Sequence, residues 1–262
     1  MADFCIETTI IHDVYVEEYN NNFDELSSLL PDIQFYCVTD KPDKIIKRDN
    51  ITPVDIKKYT DTTFEMNYNL KCGFPEILQA TRFGLREAYE NNYLKVLHLQ
   101  SDIMYSTDRD NAVSAEKISN HFESGIYFDL GGTNANLLYN NTCGKVKHLI
   151  TMCNLKGEIE RMPMGDDPVV FFKFKDKDHY ATFLDNLEKL CEETIKHEAF
   201  TTGLAAELAI AMHQTGTRSY YNYHGVLHRK RDKLFDVNNN YLHVRHYEDR
   251  DPQMARNLGI VV

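Results

Sequence analysis

Apolar positions along this chain follow two periods, and the switches between them mark out elements. Cys5 to Ile11, rich in Ile and Thr, reads as a strand. From Val16 to Leu30 the apolar positions are Val16, Tyr19, Phe23, Leu26, Leu29 and Leu30, the spacing of a helix with one buried face. Pro31-Asp32 ends it. Ile33 to Val38 is a second strand, closed by Thr39-Asp40-Lys41-Pro42. Strand, helix, strand is the opening of a nucleotide-binding α/β unit. Asn50 to Ile56 reads as a short third strand, and Lys57 to Gly73, which has no period, as a surface loop. A strong helix then starts at Pro75, with Ile77, Leu78, Thr81, Leu85 and Ala88 on one face. Proline in its first turn and Asn91-Asn92 at its end are boundary signals.

The helix leads into Tyr93 to Tyr105, the stretch around which the rest is organised. Val96, Leu97 and Leu99 form an apolar run that stops at Gln100-Ser101-Asp102 and resumes at Ile103-Met104. Such a run reads as a buried strand of a mostly parallel sheet. Its carboxyl end is where open α/β sheets bind ligands. Asp102 there is either the cap of a following helix or a ligand to a metal or sugar nucleotide, because an acid is costly to bury unpaired. His98, inside the strand, reads as a satisfied core residue.

Further on, Thr107 to Phe122 is weakly helical and Gly125 to Leu130 is a strand. Thr133 to Gly165 is Asn- and Gly-rich and is expected to form loops and short strands. Val169 to Phe174 is a strand, Tyr180 to His197 an amphipathic helix, and Thr202 to Thr215 a helix ending at Gly216. Arg218 to Tyr223 is a short strand. The tail beyond Asp232 has no strong period. Nothing marks a repeat, a linker or a second domain. The chain is expected to form one domain over residues 1–262, with a nucleotide-binding half to about 105 and an acceptor-side half from about 106.

Charge narrows the partners. The net charge of -11 argues against a generic polyanion binder. Thr217 to Val262 nevertheless carries 8 Lys/Arg against 5 Asp/Glu, together with His224, His228, His243 and His246. This basic end is either solvated surface or a site for one phosphate-bearing ligand. The six cysteines make no CxxC pair, so buried reduced thiols are expected rather than a zinc site. No apolar run approaches a membrane span, and the N-terminus lacks the pattern of a signal peptide. The expectation is a cytoplasmic protein. The Asn-, Lys- and Tyr-rich composition fits an AT-rich genome, such as that of a virus or phage, whose protein would work in the host cytoplasm.

Four segments, in order, resemble the GT-A glycosyltransferases, the nucleotide-diphospho-sugar transferases. KVLHLQSDIMY resembles the strand ending in the family's DxD motif. DDPVVFFKF with the Tyr180 helix resembles the acceptor-side strand and helix. TTGLAAELAIAMHQTGTRSYY resembles the segment that places an acid on a helix before a glycine and a strand. YHGVLHRKR resembles the late His-Gly segment. Together they span most of residues 5 to 235. The resemblance implies an α/β fold of GT-A or Rossmann-like type, with a mixed, mostly parallel sheet flanked by helices. It implies a hexosyl- or pentosyltransferase that takes a nucleotide-sugar donor. It implies a divalent ion, Mn²⁺ or Mg²⁺, held by Asp102 and His224. The first Asp of DxD is replaced by Gln100, which can hydrogen-bond a ribose but brings no charge. That puts metal dependence in question.

The chemistry gives the other residues their roles. Breaking the sugar–diphosphate bond builds negative charge on the leaving group, which a cation or Lys/Arg donors must receive. Arg229, Lys230 and Arg231 follow His224 and are candidates for it. Thr8, Thr9 and Asp40 lie at strand ends that commonly hold a nucleoside, beside Gln100 and Ser101. In similar enzymes the positions of Lys71 and Arg82 often carry a donor-binding cation; Arg82 alternatively is a solvated helix charge. Base candidates are Asp166, Asp167 and Glu207. Asp166-Asp167 alternatively form a turn before Pro168. Glu207, among alanines and leucines, is either on an exposed helix face or a functional acid of raised pKa. The acceptor is expected to be a saccharide or glycoconjugate, or a modified base in phage DNA. The rival reading is an inactive GT-A-like protein that binds nucleotide-sugars. A nucleotidyltransferase fits less well, since no Gly-rich phosphate loop follows the first strand.

Overall fold

The computed structural model describes residues 3–11, 13–59, 75–101, 103–106, 113–123, 128–131, 136–137, 163–164, 169–196, 204–217, 220–222, 244–246 and 260–261. The first half contains β1 (Cys5–Ile10), α1 (Asp13–Leu29), β2 (Gln34–Thr39), β3 (Ile51–Asp55), α2 (Pro75–Glu90), β4 (Lys95–Leu99) and β5 (Ile103–Ser106). Next come α3 (Ala115–Glu123), β6 (Phe128–Gly131), β7 (Asn136–Leu137), β8 (Pro163–Met164) and β9 (Val169–Lys173). The remainder supplies α4 (Lys177–Lys196), α5 (Leu204–His213), β10 (Tyr220–Asn222), β11 (Val244–His246) and β12 (Ile260–Val261).

Seven strands form the main sheet in the order β10-β6-β9-β4-β1-β2-β3. β9 is antiparallel to both of its neighbours, β4 and β6, while the other six run in one direction. This is the mixed, mostly parallel sheet expected from the sequence. Both faces are covered, which is why its strands read as apolar runs rather than alternations. Tyr36, Val38, Val54, Val96, Val170 and Phe172 pack in one layer with α2, α4 and α5. Ile6, Phe35, Cys37, Leu97, Leu99 and Phe171 pack in the other with α1 and α3. The expected stripe of α1 is buried through Val16, Tyr19, Phe23 and Leu26, with the Tyr19 and Phe23 rings stacked at 4.2 Å.

Helix ends follow local chemistry. Asn92 has a φ of 66°, and Tyr93 N–H bonds the Ala88 carbonyl at 3.0 Å while Asn92 N–H bonds Tyr89 at 3.1 Å. That is a Schellman closure, for which asparagine is the usual substitute for glycine. Gly216, with a φ of 78°, closes the α5 end in the same way through Met212 and His213. The weakly helical stretch expected from Thr107 is described as helix only from Ala115. Ser114 caps it, its hydroxyl accepting the Lys117 N–H at 3.2 Å. The loop expected from Lys57 begins with one 3₁₀ turn, Ile56–Lys58, and continues beyond Tyr59 outside the described residues.

The tail differs most from expectation. β11 and β12 pair antiparallel on either side of β5, making a second, three-stranded sheet. Strands of three and two residues are too short to display a period, so the pattern along the tail conceals them. β7 and β8 form a separate antiparallel pair within the Asn- and Gly-rich region. Among the described residues no helix is long and apolar enough to cross a membrane.

His179, in the first turn of α4, joins that helix to the end of α5. Its Nδ1 accepts the Lys175 N–H at 3.3 Å, so Nε2 carries the proton and donates to the Thr217 hydroxyl at 2.8 Å. Burial, helped by the nearby Lys175 charge and opposed by Asp176, holds its pKa below the ordinary 6.5. The fold therefore favours the neutral ring, and between the two pKa values the unfolded chain binds more protons. This contribution is intact above pH 6.5 and is lost as the pH falls through the lowered value. Melting temperatures recorded from pH 7.5 to 5 should fall more steeply for the wild type than for His179→Gln. Parallel curves would show that the ring does not titrate against the fold.

Candidate active site

The carboxyl ends of β1, β2 and β4 converge at one edge of the main sheet. Thr8 and Thr9 lie near the carboxyl end of β1, on opposite faces. Thr8 shares the face of Ile6 and Ile10; it is 1 % exposed, and its hydroxyl is buried without a hydrogen-bond partner. Thr9 points the other way, donating to Glu7 Oε1 at 2.9 Å and lying 3.2 Å from the Thr81 hydroxyl. Its hydroxyl is thus engaged by the interior. After β2, the Thr39 hydroxyl accepts the Lys41 N–H at 3.1 Å, and this turn holds Asp40 at the edge. Asp40 Oδ2 lies 3.8 Å from Lys41 Nζ, while Oδ1 is buried and without a partner. Thr8 and Asp40 therefore bring two unsatisfied polar atoms to the ends of neighbouring strands. Buried polar atoms are almost always paired, so this is hydrogen-bonding capacity that a ligand can satisfy.

At the end of β4, Gln100 is half-buried and Ser101 is buried. The Ser101 carbonyl accepts Asn22 Nδ2 from α1 at 3.0 Å. Asp102 itself lies outside the described residues, but it is bracketed by Ser101 and by Ile103, which opens β5. Register places His246 of β11 opposite Ile103 and Arg245 opposite Met104. The basic tail is thus drawn beside the residue that follows Asp102.

Solved structures show the same architecture. The chain superposes on the apo form of mouse xyloside xylosyltransferase 1 with a TM-score of 0.52 and 9% identity, over 95% of this chain and 99% of that one. The galactosyltransferase LgtC, in complex with donor and acceptor sugar analogs, gives a TM-score of 0.53 and 13% identity, over 94% and 87%. The glycosyltransferase GlyE of Streptococcus pneumoniae TIGR4 gives 0.52 and 12%, over 96% of this chain and 56% of that one. The chain has the GT-A fold. No family model matches the sequence, and no curated protein does.

Within this GT-A fold the sequence-based candidates separate into three groups. Thr8, Asp40, Gln100 and Ser101 gather at the sheet edge, with Thr9 beneath it. Arg82 and Glu207 lie elsewhere, in the contact of α2, α4 and α5. Arg82 Nη1 is 2.6 Å from Glu188 Oε1 of α4, and its guanidinium lies over the Phe83 ring. It is therefore not a solvated charge, and its ion pair bridges α2 and α4. Glu207 is buried at 4 % exposure, which removes the exposed-face alternative. Both act on Cys191, whose thiol is pushed up to about 12 by burial, with Arg82 opposing and Glu207 adding. Lys71, Asp102, Asp166, Asp167, His224, Arg229, Lys230 and Arg231 lie outside the described residues. Among the described residues no group of three or more His, Cys, Asp or Glu could hold a metal ion. Cys5, Cys37 and Cys191 are buried free thiols, as expected.

Two functional neighbours escaped the sequence reading. Glu7 pairs with His98 across β1 and β4, Oε2 to Nδ1 at 2.5 Å, with both side chains buried. The signal was present as one acid and one imidazole inside two apolar runs. Asn22 left a weaker trace: it lies three residues after Tyr19 and so on the buried stripe of α1, but it is hidden in an Asn20-Asn21-Asn22 run.

Proposed function

We propose that this chain transfers a sugar, a hexose or a pentose, from a nucleotide-diphospho-sugar to an acceptor hydroxyl. The observation that carries the reading is the pair of unsatisfied buried atoms, Thr8 Oγ1 and Asp40 Oδ1, at the strand ends beside the Asp102 turn of a GT-A fold. Thr8 and Asp40 would receive the nucleoside, and Gln100 a ribose hydroxyl. Asp102 and His224 would hold Mn²⁺ or Mg²⁺, which when bound neutralises charge on the diphosphate. Arg229, Lys230 and Arg231 would share that task, and Lys71 would steady the donor. Asp166 or Asp167 would take the acceptor proton. Glu207, enclosed between helices, suits that role less. The similarity in fold to a xylosyltransferase and a galactosyltransferase is compatible with either sugar class.

Thermal stability against UDP-, GDP-, CMP- and ADP-sugars, with Mn²⁺ or with EDTA, tests the reading. A ligand bound only by the folded chain raises the melting temperature by mass action. One nucleotide class should stabilise the wild type, and Asp102→Ala should abolish the shift. Turnover in that variant should fall about 100-fold or more, the scale of losing a charge-stabilising group. Unchanged turnover would remove Asp102 from the site.

A second reading is favoured by Gln100, which leaves one carboxylate where DxD supplies two. It is a binding protein that holds a nucleotide-sugar without reacting it. Tight binding with neither hydrolysis nor transfer would establish it. A modified base in duplex DNA is one acceptor compatible with the basic tail. Retention of duplex DNA in a low-salt gel would support it, because phosphate contacts dominate such binding.

A further inference from the structure

The loop after β2 places Asp40 at the edge of the main sheet, and a run of hydrogen bonds holds it from α1 back to the strand. Asn20, in the middle of α1, uses both halves of its side-chain amide on this loop. Nδ2 donates to the Lys44 carbonyl at 2.8 Å, and Oδ1 accepts the Ile46 N–H at 2.9 Å. The Lys44 N–H in turn donates to the Lys41 carbonyl at 3.0 Å, across the 3₁₀ turn Pro42–Lys44. The Lys41 N–H donates to the hydroxyl of Thr39, the last residue of β2, at 3.1 Å. Ile45, 3 % exposed, anchors the same loop in the α1 layer. Both peptide units of Lys41 are therefore held. One of them joins it to Asp40, and because a peptide unit is planar, fixing its N–H also fixes its carbonyl and constrains the ψ of Asp40. Asparagine is a poor residue for a helix interior, because its amide competes for backbone groups. Here the backbone groups it takes belong to the loop.

We infer that Asn20 is a positioning residue: through Lys44 and Lys41 it holds the Asp40 turn in one conformation, so that the carboxylate is preset for the nucleoside of a nucleotide ligand. The ligand side of this inference rests on the glycosyl-transfer reading above. What the turn presents is Asp40 Oδ1, which is buried and without a hydrogen-bond partner among the described residues. An acceptor already held in place binds a donor without a loop having to be ordered first, which is how preorganisation raises affinity. Asn20 touches no ligand in this role. Its loss should weaken nucleotide binding more than it lowers global stability, since Tyr19, Phe23 and Leu26 still seat α1 in the core.

Two variants test this. Asn20→Ala removes both bonds. Asn20→Asp keeps an acceptor for the Ile46 N–H but faces the Lys44 carbonyl with an oxygen. Ser28→Ala is the control: it deletes an exposed hydroxyl of the same helix that bonds the Asp24 carbonyl within α1 at 2.9 Å. Amide hydrogen exchange of the ligand-free protein, read on a peptide spanning residues 40–47, should quicken about tenfold in Asn20→Ala, the scale of one lost hydrogen bond, and by less in Asn20→Asp. The β9 peptide should be unchanged. Calorimetric titration with UDP, GDP, CDP and ADP, in the presence of Mn²⁺, supplies the second readout. The nucleotide that the wild type binds best should bind Asn20→Ala about tenfold more weakly and Ser28→Ala as the wild type. Unchanged exchange at residues 40–47 overturns the inference, as does quickened exchange with undiminished nucleotide affinity. A wild type that binds none of the four overturns the functional reading, and with it the ligand side of this one. The exchange data then still decide whether Asn20 holds the turn.

Discussion

Replacing His98 with leucine should cost the fold about 1–3 kcal/mol, the penalty for leaving a buried polar group without its hydrogen-bond partner. Glu7 and His98 face each other in the β1–β4 register and are bonded at 2.5 Å. Without the imidazole, the Glu7 carboxylate keeps only the Thr9 hydroxyl inside the layer between the sheet and α2. Glu7 is 0 % exposed, so bulk solvent does not reach it. The double variant Glu7→Leu/His98→Leu should recover most of the loss, because apolar replacement of a whole buried pair is often neutral or better. Urea unfolding of the three proteins measures both effects. A single variant within about 1 kcal/mol of wild type, the range of an exposed pair, would show that the bond adds nothing net.

Gly84→Ala should destabilise the protein by about 1–3 kcal/mol, the cost of overpacking a filled core. In an ordinary helix interior the same change would stabilise by about 1 kcal/mol. Here the added Cβ would lie 2.4 Å from Glu7 Cγ and 2.7 Å from Glu7 Cδ. The acid cannot withdraw while His98 and Thr9 hold its two oxygens. In a Glu7→Ala background the sign should reverse, and Gly84→Ala should become stabilising. A double-mutant cycle reads this coupling directly. Additive costs would mean that α2 moves away from the sheet instead, with Glu7 not the obstacle.

These two expectations mark the boundary of what the sequence made legible. The β-α-β opening, α2 and its Asn-Asn end, β4, β9 and α4 were readable because each is long enough to show its period or carries its own stop signal. Strand direction was not: nothing in Val169 to Lys173 records that β9 runs against its neighbours, since an apolar run looks the same both ways. Glu7 was invisible as a core residue for a related reason. Its partner is 91 positions away, and only the register of β1 on β4 brings the two together. At the site, Thr8 and Asp40 were legible as strand ends. What distinguishes them, an oxygen with no partner, is a property of the packed molecule. Arg82 and Glu207 show the converse. The sequence left Arg82 between a donor cation and a solvated charge, and Glu207 between an exposed helix face and a functional acid; only the packing of α2, α4 and α5 shows that Glu207 is buried and that Arg82 pairs with Glu188.

The pairing of β5 with β11 and β12 also sets an order of events during synthesis. Ser106 leaves the ribosome long before Ile260, its partner in β12. At about 5–20 residues per second, the intervening chain takes roughly 8–30 s to make. Strands β1 to β4 can pair with one another in that interval, although β9, α4 and α5, which cover β4 and α2, emerge only later. Ile103 to Ser106 cannot gain both of its flanking strands until Ile260 and Val261 are translated. A nascent chain halted before β11 would therefore carry β5 without either of its flanking strands. Such a chain is expected to expose the edges of β5 to whatever chaperone attends the ribosome exit.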